Sequence, residues 1–224
     1  MTDPTCRSNA PVVVFDLDGT LTTKDSFLAY LLTYGRHHGK YRAFAKMPFR
    51  LASYFAKLVP DYRLKQTLIR DFLSSCSLEA VTRHTEWFCL NWLPQNMHPI
   101  GRRLLEAHRQ QGHRLILLSA SPNIFVPSIA KSLGIDEVVC TEIQIAEDRW
   151  TGDIVGMNCK GAHKLTAIQK HLGLASRPDN SFGYGDSSSD RHILQWVRHG
   201  AWIRRTRMEP LPGSSLSNFP SITG

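Results

Sequence analysis

The chain has 224 residues, of which 42% are hydrophobic and 21% are charged. This length and composition are typical of one globular domain, or of one domain with an insertion, and they exclude collagen-like and disordered chains. The 27 Lys and Arg residues outnumber the 19 Asp and Glu residues, and the net charge of +8 favours anionic partners without choosing among phosphorylated metabolites, nucleic acid and acidic lipid. No apolar run approaches the ~20 residues that cross a bilayer, and the first residues lack the pattern of a secretory signal. Five cysteines without a CxxC pair favour a reducing, cytoplasmic setting.

The first predicted element is a buried strand over Val12–Phe15, an apolar, β-branched run that suits a parallel sheet covered on both faces. Residues 1–10 before it are expected to be flexible. From 23 to 98 apolar residues recur three and four positions apart, which predicts helices and almost no strands. We therefore expect a helical insertion between the first and second strands.

After residue 98 the pattern alternates between helix and strand. Helices are predicted over 101–111, 123–133, 162–172 and 189–197. Strands are predicted over 114–118, 138–140, 181–185 and 201–203, with a small β excursion at 150–152. The last strand is expected at the sheet edge, and the residues of 209–224, rich in Pro, Gly and Ser, are expected to be flexible. This alternation predicts an α/β fold, a doubly wound parallel Rossmann-like sheet formed by 11–22 and 99–208, with 23–98 as an inserted α-helical cap.

Polar clusters follow the predicted strands at four places, where ligands bind in open parallel sheets. They are Asp16-x-Asp18-Gly19-Thr20, Ser119-Ala120-Ser121, Lys160-Gly161 with Lys164, and Gly185-Asp186 through Asp190. Carboxylates at one sheet edge repel each other unless a cation lies between them, and Mg²⁺ prefers such ligands. Asp16, Asp186 and the backbone carbonyl of Asp18 are the candidate ligands. Hydroxyls, lysines and helix N–H groups suit a phosphate dianion, so the set suggests phosphoryl transfer.

The segments VVVFDLDGTL, LLSAS, CKGAHK and GYGDSSSD, in that order, resemble the four motifs of the haloacid-dehalogenase-like superfamily of phosphohydrolases. A helical insertion directly after the first motif is similar to the phosphoserine-phosphatase-like branch, subfamily IB. The resemblance covers about residues 12–205. It implies a Rossmann-like core with a helical cap and a Mg²⁺ cofactor.

The resemblance also implies roles for individual residues. Asp16 corresponds to the nucleophile that forms an aspartyl-phosphate, and Asp18 to the acid/base residue. Ser119 and the backbone of Ala120 would bind phosphate, and Asp186 would bind the metal. Both Lys160 and Lys164 match a phosphate-binding lysine, with a slight preference for Lys164. Asp190 and Thr20 would support the site from outside, and Asp25 stands where the family has a specificity-determining Glu in the cap.

The expected function is Mg²⁺-dependent hydrolysis of a phosphomonoester on a small metabolite or a lipid headgroup. Phosphoserine phosphatase is an alternative, although the arginine expected to hold the serine carboxylate has no clear match and only Arg70 is near. An inactive scaffold with a binding role is an alternative of another class. No nucleic-acid-binding signature is present, and a monomer or a homodimer is expected.

The segment 41–58 allows two interpretations. Arg42, Lys46 and Arg50 form a basic row at four-residue spacing, among abundant apolar residues, and Pro48 is expected to kink the helix. Either the apolar residues pack inside the cap, or the segment forms a surface that meets an acidic membrane or a lipid phosphate.

Overall fold

The computed structural model describes residues 10–221, so the predictions for 1–9 and 222–224 lie outside the described residues. The described strands are β1 (Val12–Phe15), β2 (Arg114–Pro122), β3 (Glu137–Thr141), β4 (Ile143–Ala146), β5 (Arg149–Ile154), β6 (Ser181–Gly185), β7 (His199–Ile203) and β8 (Met208–Pro210). Six of them form one sheet in the order β3-β2-β1-β6-β7-β8, while β4 and β5 form an antiparallel pair. All neighbours in the large sheet are parallel except β7 and β8. The predicted α/β fold with a mostly parallel sheet is confirmed.

Strand β1 lies in the middle of the sheet and is buried along its whole length. Val13 and Phe15 belong to one hydrophobic cluster, and Val12 and Val14 belong to the cluster on the other side. Because successive side chains of a strand point to opposite faces, an uninterrupted apolar run is required where helices cover both faces. The strand ends at the first polar residue, Asp16.

The described helices fall into two groups. The first group is α1 (Ser26–His37), α2 (Tyr41–Phe55), α3 (Asp61–Leu73) and α4 (Leu78–Trp87), followed by a π turn at Phe88–Trp92 and a 3₁₀ turn at Pro94–Asn96. The second group is α5 (Pro99–Gln110), α6 (Val126–Ser132), α7 (Ala162–Leu172) and α8 (Arg191–Trp196). All of the first group lies between β1 and β2, so the helical insertion is confirmed. Helix α2 continues through Pro48 without a break.

Helix α3 packs directly on the β4–β5 pair. Gly152 in β5 has φ +82°, and a Cβ atom there would lie 2.8 Å from the carbonyl oxygen of Gln66 and 2.6 Å from the side chain of Arg70. Only glycine permits this approach of strand and helix. The contact fixes α3 over the carboxyl end of β2, where the second polar cluster lies.

Three local predictions were wrong. Strand β2 extends to Pro122, with an irregular register between Leu118 and Pro122, because the polar run Ser119–Ser121 continues the ladder instead of ending it. Helix α6 consequently begins at Val126 and not at 123. Strand β7 is not at the edge, since β8 pairs with it.

The predicted flexible C-terminal segment is wrong for residues 209–221. Strand β8 pairs antiparallel with the outer edge of β7, and the Phe219 side chain is only 6% exposed. Its ring packs against the rings of Phe182, Tyr184 and His199. The composition rich in Pro, Gly and Ser therefore gave a wrong prediction, because the buried ring of Phe219 and the pairing of β8 with β7 fix the segment on the core.

Among the described residues, no helix combines the length and the hydropathy that a bilayer crossing requires.

Candidate active site

Asp16 directly follows the central strand and is the focus of the polar clusters. Its backbone N–H donates to the Tyr184 carbonyl at 2.9 Å, which continues the β1–β6 ladder and places the side chain at the carboxyl end of the sheet. Carboxylate oxygens of Asp16, Asp186 and Asp190 lie within 4.8 Å of one another. Three converging carboxylates are the hard oxygen donors that a divalent cation such as Mg²⁺ takes. The residues present therefore fit a metal ion.

Gly19 permits this convergence. It has φ +82°, and a Cβ atom built on it would lie 2.1 Å from Oδ2 of Asp186. A side chain at this position would occupy the space of that carboxylate. The glycine of the first cluster is thus required both by its backbone conformation and by the close approach of the fourth cluster.

Lys164 reaches the same point from α7. Its Nζ lies 2.5 Å from Oδ1 of Asp16 and 2.6 Å from Oδ1 of Asp190, and its side chain is 2% exposed. Burial opposes the charged form of Lys164, but the two carboxylates outweigh burial and raise its pKa above the ordinary value. Burial raises the pKa of Asp16, and Lys164 opposes that rise. Burial and Asp190 together raise the pKa of Asp186 to about 6.

The two lysines of the third cluster have different environments. Lys164 contacts Asp16, whereas Nζ of Lys160 lies 2.8 Å from Oδ2 of Asp61 at the start of α3, with its side chain 45% exposed. Lys160 thus connects the core to the helical insertion. The sequence pattern alone could not separate the two, because residues four apart share a helix face; in the structure α7 begins only at Ala162.

Asp18 is held from two directions. The backbone N–H of Ser26 donates to its Oδ1 at 2.7 Å, and the hydroxyl of Ser121 donates to its Oδ2 at 2.9 Å. Burial and the nearby Asp25 raise the pKa of Asp18, while the hydrogen bonds from Ser26 and Ser121 oppose the rise. Its side chain is therefore positioned jointly by β2 and by the first turn of α1.

Ser119 and Thr20 lie deeper than the carboxylates. Ser119 is fully buried, and its Oγ accepts a hydrogen bond from the backbone N–H of Ser121 at 3.0 Å. Thr20 is fully buried and donates to Oδ2 of Asp16 at 3.4 Å. Asp25 has a local structural role, since its Oδ1 accepts from the Leu28 N–H at 2.7 Å and caps α1.

Sequence reasoning missed Lys65 of α3. Its Nζ donates to the Ala120 carbonyl at 2.5 Å and to Oδ1 of Asn158 at 2.6 Å. The hydroxyl of Thr141 donates to the same carbonyl at 2.7 Å. Burial lowers the pKa of Lys65 to about 8. The sequence feature that could have identified Lys65 is its position three residues before Leu68, within the apolar stripe of an amphipathic helix.

A cavity of about 270 Å³ lies between the core and the helical insertion. Its charged lining residues are Asp18, Asp25, Asp61, Lys65 and Lys160. The rest of the lining is mostly apolar, namely Phe27, Leu28, Leu51, Tyr54, Phe55, Leu64, Leu68 and Ala120, with Ser121. The cavity gives a small molecule access to Asp18 while much of its surface meets apolar side chains.

A family model described as haloacid dehalogenase-like hydrolase matches residues 13–195. The chain belongs to this family. It is 30% identical over 192 residues to the protein CicA of Caulobacter vibrioides, which covers 82% of this chain and 81% of CicA. It is 24% identical over 194 residues to a histidinol-phosphatase of Neisseria meningitidis, which covers 83% of this chain and 86% of that protein.

Solved structures agree with the fold. A substrate-bound phosphoserine phosphatase superposes with a TM-score of 0.55 at 15% identity, over 86% of this chain and 84% of that one. The resemblance to the haloacid-dehalogenase-like superfamily is confirmed by the family model, which describes a hydrolase. The narrower placement in subfamily IB stays a prediction.

Proposed function

We propose that the protein is a Mg²⁺-dependent phosphomonoesterase that works through an aspartyl-phosphate on Asp16. The observation that carries the proposal is the arrangement around this residue. A buried carboxylate at the end of the central strand is bound by Lys164 and lies within 4.8 Å of the carboxylates of Asp186 and Asp190. Nucleophile, counter-charge and cation ligands are thus supplied at one point by separate elements.

Asp16, Asp186 and the backbone carbonyl of Asp18 would hold the metal ion. When bound, Mg²⁺ supplies positive charge that offsets the repulsion between an anionic nucleophile and an anionic phosphate. Asp190 is committed elsewhere, since one of its oxygens binds Lys164 and the other accepts from the N–H and the hydroxyl of Ser187. It therefore positions Lys164 and the loop that carries Asp186.

The chemistry of the chain's own residues proceeds in two displacements. In the first, a carboxylate oxygen of Asp16 bonds to phosphorus, the ester P–O bond breaks, and Asp18 gives its proton to the leaving oxygen. In the second, a water oxygen bonds to phosphorus, the bond to Asp16 breaks, and Asp18 takes the proton of that water. Burial raises the pKa of Asp18 above its ordinary value, which is the direction that a general acid needs.

Phosphate binding would rest on Lys164 and on the end of β2. Lys164 faces the nucleophile directly, and Ser119 and Ser121 shape the backbone around Ala120. The ion pair of Lys160 with Asp61 favours a role for Lys160 in closing the cavity and weighs against its contact with the transferred phosphoryl group. The helical insertion would act as the cap that excludes bulk water and selects the leaving group.

The cavity favours a small phosphorylated metabolite with an apolar or aromatic part. Arg70, the residue considered for a serine carboxylate, instead pairs with Asp153 of β5 and does not line the cavity, which weighs against phosphoserine. Asp25, which caps α1, and Asp61, which pairs with Lys160, also line the cavity, and their carboxylates favour a phosphate ester of an amino alcohol. Histidinol phosphate, the substrate class in the name of the Neisseria relative, has both features.

The decisive experiment is hydrolysis of an aryl phosphate by the wild type with Mg²⁺, with a chelator, and by Asp16→Asn. Asp148→Asn, an exposed acid in the turn between β4 and β5, is the matched control. We expect activity only with Mg²⁺, retained in Asp148→Asn and abolished in Asp16→Asn. Unchanged activity of Asp16→Asn would refute the nucleophile, and inactivity on aryl, amino alcohol, phosphoserine and lipid headgroup phosphates would favour a binding protein on this scaffold.

A cytoplasmic location is part of the same proposal. It is supported by Cys76, Cys89, Cys140 and Cys159, which are free thiols in the described structure.

A further inference from the structure

Helix α2 exposes an apolar face to solvent. Tyr41, Phe49 and Phe55 are 80%, 76% and 75% exposed. The exposed residues that share this face at three- and four-residue spacing are Tyr41, Ala45, Pro48, Phe49, Ala52 and Phe55. The opposite side of the helix is also apolar and buries Ala43 and Met47 in the core. The interpretation that all apolar residues of this segment pack inside the cap is therefore wrong, because a helix packed on one side leaves the other side in water.

The same segment is strongly cationic. Residues 39–60 contain five Lys and Arg residues and no Asp or Glu. The row of Arg42, Lys46 and Arg50 runs along one flank of the apolar face. Lys46 and Arg50 pair with Asp71 at 3.1 and 3.2 Å, yet their side chains remain 57% and 44% exposed. An exposed aromatic face bordered by cations is the composition of helices that lie in the interface of anionic membranes.

We propose that the outer face of α2 binds the surface of an anionic lipid bilayer, with the helix lying in the plane of the interface. Charge complementarity selects this occupant, because lipid phosphates match the cationic row while acyl chains match the aromatic face. A second copy of the chain would match only the apolar part, since a twofold interface would bring two cationic rows together. The 15 residues of α2 present a contact about 22 Å long.

Docking through this face would bring the active-site cavity close to the lipid. Leu51, Tyr54 and Phe55 of the same helix line the cavity that contains Asp18. The outer face of α2 contains none of the residues proposed for catalysis, so binding to lipid is independent of the proposed hydrolysis.

The test is co-sedimentation of the full chain with vesicles of phosphatidylcholine alone and of phosphatidylcholine mixed with phosphatidylglycerol. We expect binding only to the mixed vesicles, weakening as salt is added. Tyr41→Ser with Phe49→Ser should weaken binding at least about tenfold through lost apolar burial. Arg42 of the row and Lys57, which follows α2, are exposed cations. Arg42→Gln with Lys57→Gln should weaken binding about fivefold for each cation removed.

The matched control is Leu90→Ser with Leu216→Ser, two exposed apolar residues outside α2 that are 76% and 63% exposed; it should bind like the wild type. Absence of binding to the mixed vesicles, or undiminished binding by the Tyr41/Phe49 variant, would overturn the proposal. A third result would also overturn it. If analytical ultracentrifugation shows a dimer of the wild type and a monomer of the Tyr41/Phe49 variant, and neither of the two binds vesicles, the face belongs to a second copy of the chain.

Discussion

Gly19→Ala should inactivate the enzyme while leaving the protein folded. The added Cβ atom would lie 2.1 Å from Oδ2 of Asp186 and 2.4 Å from its Cγ. A tolerable contact needs somewhat more than 3 Å, so the carboxylate must move by roughly 1 Å, and a displacement of that size in a catalytic site costs on the order of 10²-fold in rate. The positive φ adds a strain of about 1–3 kcal/mol to the free energy of folding.

A substitution at a second glycine separates the effect of backbone strain from the effect of displacing Asp186. Gly112, after α5, has φ +70° and no atom within 4 Å of an added Cβ, so Gly112→Ala carries the backbone strain without the contact. We expect Gly19→Ala to lose at least as much unfolding free energy as Gly112→Ala in urea titrations, and only Gly19→Ala to lose kcat/KM on an aryl phosphate with saturating Mg²⁺. Equal kcat/KM of the two variants would refute the claim that Asp186 must lie against residue 19.

Three further variants test the buried contacts. Lys164→Met should lower the free energy of unfolding by about 3–5 kcal/mol because it leaves buried carboxylates without a counter-charge. Lys160→Met should lower it by less than about 1 kcal/mol because the ion pair of Lys160 is exposed. Urea titrations of the two variants side by side measure both losses. Burial lowers the pKa of Lys65 to about 8 in the folded protein from its ordinary value of 10.5, so the unfolded state binds more protons between these values and stability should rise with pH across that window. Lys65→Met should lose this rise, which urea titrations near the two ends of the window would show. Phe219→Ala should cost about 3–5 kcal/mol in the same assay, while Leu216→Ala, exposed on the same turn, should cost little; equal effects would mean that the C-terminal segment does not pack as described.

Local sequence patterns predicted the elements that need only apolar surroundings and no particular partner residue. The run Val12–Phe15 needed only apolar cover on both faces, and α7 over Ala162–Leu172 needed only an amphipathic stripe and a following glycine. Their bounds in the structure equal the predicted ones. The polar clusters could also be predicted to converge, because the ends of parallel strands share one edge of the sheet.

Contacts between distant segments could not be predicted in this way. Lys65 is one of many lysines in a helical region, and its role depends on how α3 docks on β5 through Gly152. The distinction between Lys160 and Lys164 depends on where α7 begins relative to the sheet. Phe219 likewise lies in a segment whose composition is typical of unstructured chain, and its packing depends on the rings of Phe182, Tyr184 and His199 from distant strands.

The charge around Asp16 explains why the elements meet where they do. The carboxylates of Asp16, Asp186 and Asp190, with the ammonium group of Lys164, leave two negative charges when all are ionised. Such a site repels a phosphate dianion, and burial in a medium of low polarity strengthens the repulsion. One lysine is insufficient, since both of its carboxylate partners already share it. A divalent cation would cancel the remaining charge, so the donor set itself favours the proposed Mg²⁺ and makes the attack of Asp16 on a phosphate ester electrostatically feasible.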